Sequence, residues 1–381
     1  MVLGRADDSL LAHWWWTVDR WLMLAILLLL ALGFLLMLAA SMPVAERLGL
    51  DNFHFIKRQL AFLAISFGVM ITISIMSEQN ARRLSLLLLP AAFVLLVLTL
   101  TIGPEIKGAN RWLQIGNFTV QPSEFLKPAF VVASAWLLAG SFEDQKFPGR
   151  QIAVALFIVV ITALLLQPDV WQSVLISGVF LGQLLLAGLP IGWLVLLGLG
   201  SVAALAVAYT AIPHVQLRID IFFDPASGDT YQIDTALNAF RTGGLFGTGP
   251  GEGLVKRVLP DAHTDYIFAV AGEEFGALAC LVILGLFAVI VIRGLARLLD
   301  EEDVFTLLAV SGLLSLFGLQ ALINMGVNLG VLPSKGMTLP FISYGGSSLL
   351  ALAITMGLVL ALTRRKPRSQ RLPIRQDRRS R

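Results

Sequence analysis

Three ionisable side chains alternate in LPDAHTDYIFAVAGEEFGAL, residues 259–278: Asp261, His263 and Asp265. Directly after them Tyr266 opens a strongly apolar run. Carboxylates and an imidazole can hold a metal ion, or take and give protons, when the chain brings them together. A third use is to cap and pair the helix that follows. Alternate spacing in a loop of unknown shape does not choose among these, and no metal set is assigned. Charge this close to an apolar run is costly and needs a reason.

A second group lies in KGANRWLQIGNFTVQPSEFLKP, residues 107–128. It joins Lys107 and Arg111 to a Trp-bearing amphipathic stretch, then opens an apolar run with Gln121, Glu124 and Lys127. Glu124 and Lys127 are three apart and can pair on one helix face. That pair either orients the helix internally or belongs to a polar cavity for a headgroup. In QPDVWQS, 167–173, Asp169 stands where a helix cap would. In NLGVLPSKGMTLPFISYGGSS, 328–348, Lys335 is fenced by Pro333, Gly336 and Pro340, and Ser343 to Ser348 give a small-residue face suited to close packing. The glycine series RTGGLFGTGPGEG, 241–253, contains neither GxxxxGK[ST] nor GxGxxG, so turns and close backbone packing explain it better than a phosphate loop.

The elements that must position these groups are membrane spans. The chain has 381 residues, 57% hydrophobic and 14% charged, a balance that excludes an ordinary soluble domain. Runs long enough to cross a bilayer fall at about 21–40, 59–76, 84–102, 122–139, 152–167, 170–188, 191–211, 266–292, 304–330 and 341–363. The expected fold is therefore an all-α polytopic membrane protein with ten transmembrane helices and a large extracytoplasmic loop, 212–264, between helices 7 and 8. Residues 1–20 are the expected cytoplasmic N-terminus, 21–363 the single membrane domain, and 364–381 a basic cytoplasmic tail. Arg82, Arg83, Lys146, Arg150, Arg293 and Arg297 fall on the same side as that tail, as the positive-inside rule requires. Arg47, Lys57, Arg58, Lys107, Arg111, Arg218, Arg241, Lys256, Arg257 and Lys335 fall on the other side, where an anionic ligand rather than topology would use them. The single cysteine, Cys280, excludes an intramolecular disulfide. The tail reads as an anchor on anionic headgroups, and no nucleic-acid partner is expected.

RWLQIGNFTVQPSE, LPDAHTDYIFAVAGEEFG and LPSKGMTLPFISYGGSS together resemble the SEDS family of multispanning peptidoglycan polymerases, over about residues 14–363. The last of these is more similar to the cell-division branch than to the elongation branch. The resemblance implies a glycosyltransferase that polymerises lipid II, with inversion at the anomeric carbon and undecaprenyl pyrophosphate as leaving group. It implies Asp265 as the essential aspartate, acting as general base. A single base suffices because pyrophosphate leaves without a proton, unlike the alkoxide of a glycosidase. Lys335, Lys107, Arg111 and Lys127 would meet the diphosphate, with a divalent cation (Mg2+ or Mn2+) as a further candidate, and Glu124, His263, Thr264 and Ser343 would complete the substrate site. Trp171 departs from the family pattern beside Asp169. The implied partner is a class B penicillin-binding transpeptidase, with other divisome membrane proteins, in the inner membrane at the division septum. A lipid II flippase and a non-catalytic scaffold are the alternatives. The first would string charge along the spans to the cytoplasmic side; the second would tolerate alanine at Asp265 and Lys335.

Overall fold

The computed structural model describes residues 9–105, 109–116, 118–334 and 336–364. A short helix, α1 (Leu10–Thr17), precedes α2 (Arg20–Arg47), α3 (His54–Ile75) and α4 (Glu78–Ile102). A two-stranded hairpin, β1 (Leu113–Ile115) and β2 (Phe118–Val120), pairs antiparallel with Leu113 opposite Val120. Then come α5 (Pro122–Glu143), α6 (Gly149–Leu166), α7 (Val170–Leu186) and α8 (Ile191–Ala211). The long connection folds into α9 (Pro213–Phe223), α10 (Tyr231–Gly243) and two 3-10 turns, before α11 (Ile267–Ala296), α12 (Val304–Asn328) and α13 (Gly346–Leu362).

Eight of the described helices are long and apolar enough to cross a membrane, while α7 and α13 are apolar but 17 residues each. Several expected boundaries move, and two of them bear on the site. The first run does not stop at Ala40: α2 continues through Pro43 to Arg47, whose guanidinium donates to the Leu259 carbonyl at 3.0 Å. The last does not begin at Phe341. Residues 341–345 form a turn, with Phe341 at φ 62°, and the helix starts only at Gly346.

The buried centre of the bundle is α5, α12 and α13, each packed on the other two. α5 also packs on α4 and α6, and α12 on α7 and α11. α8 is apolar on every face, as a helix surrounded by lipid is expected to be. At the end of the bundle where α2 begins, Asp19 caps α2 through the Trp21 and Leu22 amides and pairs with Arg293 and Arg297 of α11 at 3.0 and 2.6 Å. Burial raises the Asp19 pKa, but the Leu22 amide and the two arginines outweigh it and hold the carboxyl below its ordinary value.

α11 is broken at Gly276, whose φ of 76° and ψ of −179° are not helical. A helix break frees backbone groups that must find partners, above all at membrane depth. The glycine series supplies them. Thr248 and Gly249 amides donate to the Glu273 and Glu274 carbonyls at 2.9 and 3.0 Å, and the Ala277 and Leu278 amides donate to the Gly244 and Leu245 carbonyls at 2.9 and 3.3 Å. A Cβ on Gly276 would lie 2.3 Å from the Leu245 oxygen, so only glycine fits there.

Candidate functional site

The Asp261 carbonyl organises the loop that carries the acidic cluster. It accepts from the backbone amides of Thr264, Asp265 and Tyr266 at 3.1, 3.0 and 3.3 Å, and from the Thr264 hydroxyl at 3.2 Å. Asp261 itself has φ 52°, the left-handed region that Asp and Asn tolerate best among residues with a side chain. The turn is then gripped from two sides. Asn324 and Asn328 of α12 both donate to the Asp265 carbonyl at 2.9 Å, and Asn328 Oδ1 accepts from the Ala269 amide at 3.1 Å in the first turn of α11. Ser343 donates to the Thr264 carbonyl, and the Tyr344 amide to the His263 carbonyl at 2.9 Å.

So held, Asp265 lines a polar cavity of about 450 Å³. Its walls include Arg111 and Trp112 beside the hairpin, Glu124 of α5, Gln172 of α7, Arg218 of α9, and Thr338, Ser347 and Ser348. Gly336 approaches so closely that a Cβ there would lie 2.8 Å from Asp265 Oδ2. A neighbouring cavity of about 340 Å³ is almost wholly apolar, lined by Trp171, Val174, Leu205, Phe222 and Phe223 among others. Arg111 and Arg218 line both cavities. Arg111 donates to the Gln167 carbonyl at 3.3 Å and to the Pro168 carbonyl, with Asp169 3.9 Å away. Arg218 donates to the Ser334 carbonyl at 3.3 Å. Burial, then the positive charge of Arg111, lower the Arg218 pKa against the opposing pull of Tyr266, Asp265 and Asp169. Two guanidiniums in one wall, each costing the other, form a place for an anion. The arrangement offers a carboxylate beside a cationic wall and an apolar recess: a base, an anion clamp and room for a hydrocarbon chain.

The expected site residues divide. Asp265, Arg111, Glu124 and Thr264 line the polar cavity. Lys127 does not. It is 2% exposed, with its ammonium 3.0 Å from Glu124 Oε1 and 2.9 Å from Gln320 Oε1, so it serves the helix-orienting pair and not a diphosphate. Ser343 is spent on the loop, accepting from the Leu339 amide at 2.8 Å while donating to Thr264. His263 turns away from the cavity into an aromatic cluster, with Phe55 at 4.7 Å and Tyr344 at 5.4 Å between ring centroids. Burial lowers its pKa to about 4, with Arg47 adding to the effect and Asp261 opposing it. Lys335 and Lys107 lie outside the described residues.

Asp169 sits at the N-cap of α7 but makes no side-chain cap bond; it faces Arg111 instead. Glu273 and Glu274, the other carboxylates of the motif, are structural. Glu273 accepts from the Val255 and Lys256 amides at 2.7 and 2.9 Å, and Glu274 pairs with Lys256. Arg218 enters the sequence reading only as one of ten outer-face basic residues, and Gln172 and the amide row Gln320, Asn324 and Asn328 carry no weight in it. The row was signalled: three amides at intervals of four within an apolar span share one helix face, and polar groups there rarely lack a task.

A family model described as a cell cycle protein, covering FtsW, RodA and SpoVE, matches residues 20–368. A probable peptidoglycan glycosyltransferase FtsW from Caulobacter vibrioides is 46% identical over 365 residues, 96% of this chain and 94% of that protein. Its counterpart from Saccharophagus degradans is 37% identical over 358 residues, 91% of this chain and 92% of the relative. Among solved structures, a chain from a peptidoglycan synthase complex that coordinates polymerization and crosslinking superposes with a TM-score of 0.74 at 28% identity, covering 91% of this chain and 97% of its own. The rod shape determining protein RodA of Thermus thermophilus gives 0.68 at 28% identity, covering 92% and 97%.

Proposed function

The chain belongs to the FtsW, RodA and SpoVE family of cell cycle proteins, and from that premise we propose that it is the peptidoglycan glycosyltransferase of septal wall synthesis, polymerising lipid II. The observation that carries the mechanism is the position of Arg111 and Arg218 in the walls of both cavities, with Asp265 in the polar one. A polyprenyl chain fits the apolar recess, its diphosphate the two guanidiniums, and its saccharide the polar cavity.

In the reaction the 4-hydroxyl oxygen of the acceptor GlcNAc attacks the anomeric carbon of the donor. Its proton passes to Asp265 as the new C–O bond forms. The bond from the anomeric carbon to the diphosphate oxygen breaks with its electron pair, which inverts the carbon and frees undecaprenyl diphosphate. Arg111 and Arg218 stabilise the charge that develops on that group. Lys335 and Lys107 are proposed from sequence to add to this clamp. Among the described residues no three His, Cys, Asp or Glu side chains converge as a self-contained metal site. Asp261 in the cavity wall is the carboxylate that would hold a divalent cation, Mg2+ or Mn2+, which would neutralise leaving-group charge.

The membrane arrangement proposed is ten spans, α2 to α8 and α11 to α13. The 17-residue α7 and α13 are at the short end of what a bilayer requires. Both termini face the cytoplasm. The likeness to a synthase complex that joins polymerization to crosslinking supports a class B penicillin-binding transpeptidase as partner.

Asp265→Asn keeps size and most hydrogen bonding but cannot take the proton. Purified with lipid II and the transpeptidase, it should lose at least about 100-fold in glycan synthesis on a gel, with normal folding and transpeptidase binding. Polymerisation within a few-fold of wild type would remove Asp265 from the role of base. Transport of lipid II without polymerisation by the wild type would turn the reading to a flippase.

A further inference from the structure

Two buried acceptor atoms beside the polar cavity receive no hydrogen bond from any described residue: Glu124 Oε2 and Gln172 Oε1. Both side chains line the cavity, and both residues are 4% exposed. They come from different helices, α5 and α7, and one bond joins them, Gln172 Nε2 to Glu124 Oε1 at 2.7 Å. That bond fixes the amide. A carboxylate oxygen only accepts, so the amide nitrogen must face Glu124 and the amide oxygen must face elsewhere. Lys127 spends two of its three N–H donors on Glu124 Oε1 and Gln320 and makes no bond to Glu124 Oε2. A buried acceptor without a donor is costly. An occupant of the cavity that carries donors removes that cost.

We infer that Glu124 and Gln172 form a subsite that reads hydrogen-bond donors of a bound saccharide, its hydroxyl or acetamido N–H groups. The inference rests on the function proposed above and assigns the two halves of the ligand to different walls. Acceptor oxygens repel a phosphate, so the diphosphate is excluded from Glu124 and Gln172. Guanidiniums only donate, so Arg111 and Arg218 cannot take a donor hydrogen. The substrate is thereby oriented by charge at one wall and by donor placement at the other.

Gln172→Met keeps the length of the side chain and removes the amide. Affinities would be measured in nanodiscs, in an Asp265→Asn background that prevents turnover, for two ligands: undecaprenyl diphosphate bearing the disaccharide, and undecaprenyl diphosphate alone. Gln172→Met should weaken the saccharide-bearing lipid about tenfold, the size of one lost hydrogen bond, and leave the plain diphosphate within twofold. Equal weakening of both would make the amide merely structural and overturn the subsite. No change in either would mean that water alone satisfies these oxygens, and would overturn it too. If Gln172→Met lowers the melting temperature and loses both ligands, Gln172→Asn, which draws the amide back by one methylene, is judged by the same comparison. A parent protein that binds neither lipid above plain phospholipid would defeat the proposed function itself. A parent that binds both, with no selective effect at 172, defeats only the subsite.

Discussion

Gly336 and Asp265 meet through space, far apart in sequence, and the contact leaves no room for a methyl group: a Cβ would sit 2.8 Å from the carboxylate oxygen. The carboxylate is the end of a side chain and can swing, so Gly336→Ala should displace the proposed base without unfolding the protein. A shift of about 1 Å at a reacting group can cost roughly 100-fold. Lipid II polymerisation should fall by about 10- to 100-fold at an unchanged melting temperature; full activity would mean that Asp265 acts from another position. His263 gives a pH dependence. Burial holds its pKa at about 4, against about 6.5 in an open chain. Between those values the open loop binds the proton and the closed loop does not, so stability is fully present above about pH 6.5 and declines as pH falls toward 4. The loss is on the order of 3 kcal/mol at most. Melting curves from pH 8 to 4.5 should show it, and His263→Phe, which keeps the ring packing against Phe55 and Tyr344, should flatten it. A carboxylate at the mouth of an apolar run is costly, which drew attention to the cluster, but only the family resemblance singled out Asp265 within it. His263 and Ser343 were misplaced because side-chain direction in an irregular loop depends on partners distant in sequence, here Phe55 of α3 and the Thr264 carbonyl of the facing loop.

The element that aims Asp265, the proposed base, is α12. Its row of amides joins three separate segments: Gln320 reaches Lys127 of α5 and the Thr338 carbonyl, Asn324 the Met337 carbonyl, and Asn328 both Asp265 and the start of α11. Asn328→Ala leaves the Ala269 amide only its bond to the Tyr266 carbonyl and halves the grip on the Asp265 carbonyl. It should cost about 1–3 kcal/mol in stability and lower the maximal polymerisation rate more than lipid II affinity, because the anion clamp does not involve Asn328. Equal losses in rate and affinity would show a general collapse of the site. Helix positions were legible from hydropathy almost throughout. The start of α13 was not, since PFISYGG is apolar enough to read as span. Its chain turns because Phe341 adopts a left-handed conformation and Ser343 spends its hydroxyl on the neighbouring loop.

At the scale of the molecule, composition was enough to place the chain in a membrane and to count candidate spans, because bilayer thickness sets run length. It could not supply the packing. That α5, α12 and α13 form the buried centre, and that α9 of the long loop lines the cavities with Arg218, comes from long-range contacts that no local pattern encodes. The proposed orientation is testable with single cysteines in a Cys280→Ala background. Ser227→Cys should react with an impermeant maleimide added outside intact cells, and Ser369→Cys only after lysis. Labelling of both from one side would overturn the topology.

The break at Gly276 reverses the usual relation between secondary structure and amide exchange. Thr248 and Gly249 belong to a glycine-rich loop, yet their amides are bonded to carbonyls of a helix that crosses the bundle. In deuterium such a loop would ordinarily exchange within moments. Here its amides open only when the Glu273–Leu278 segment releases them, so they share one opening free energy with the Ala277 and Leu278 amides of the helix. Those four sites would lose protection together as temperature rises, while Gly251, whose left-handed turn would leave a Cβ in open space, would exchange early and alone.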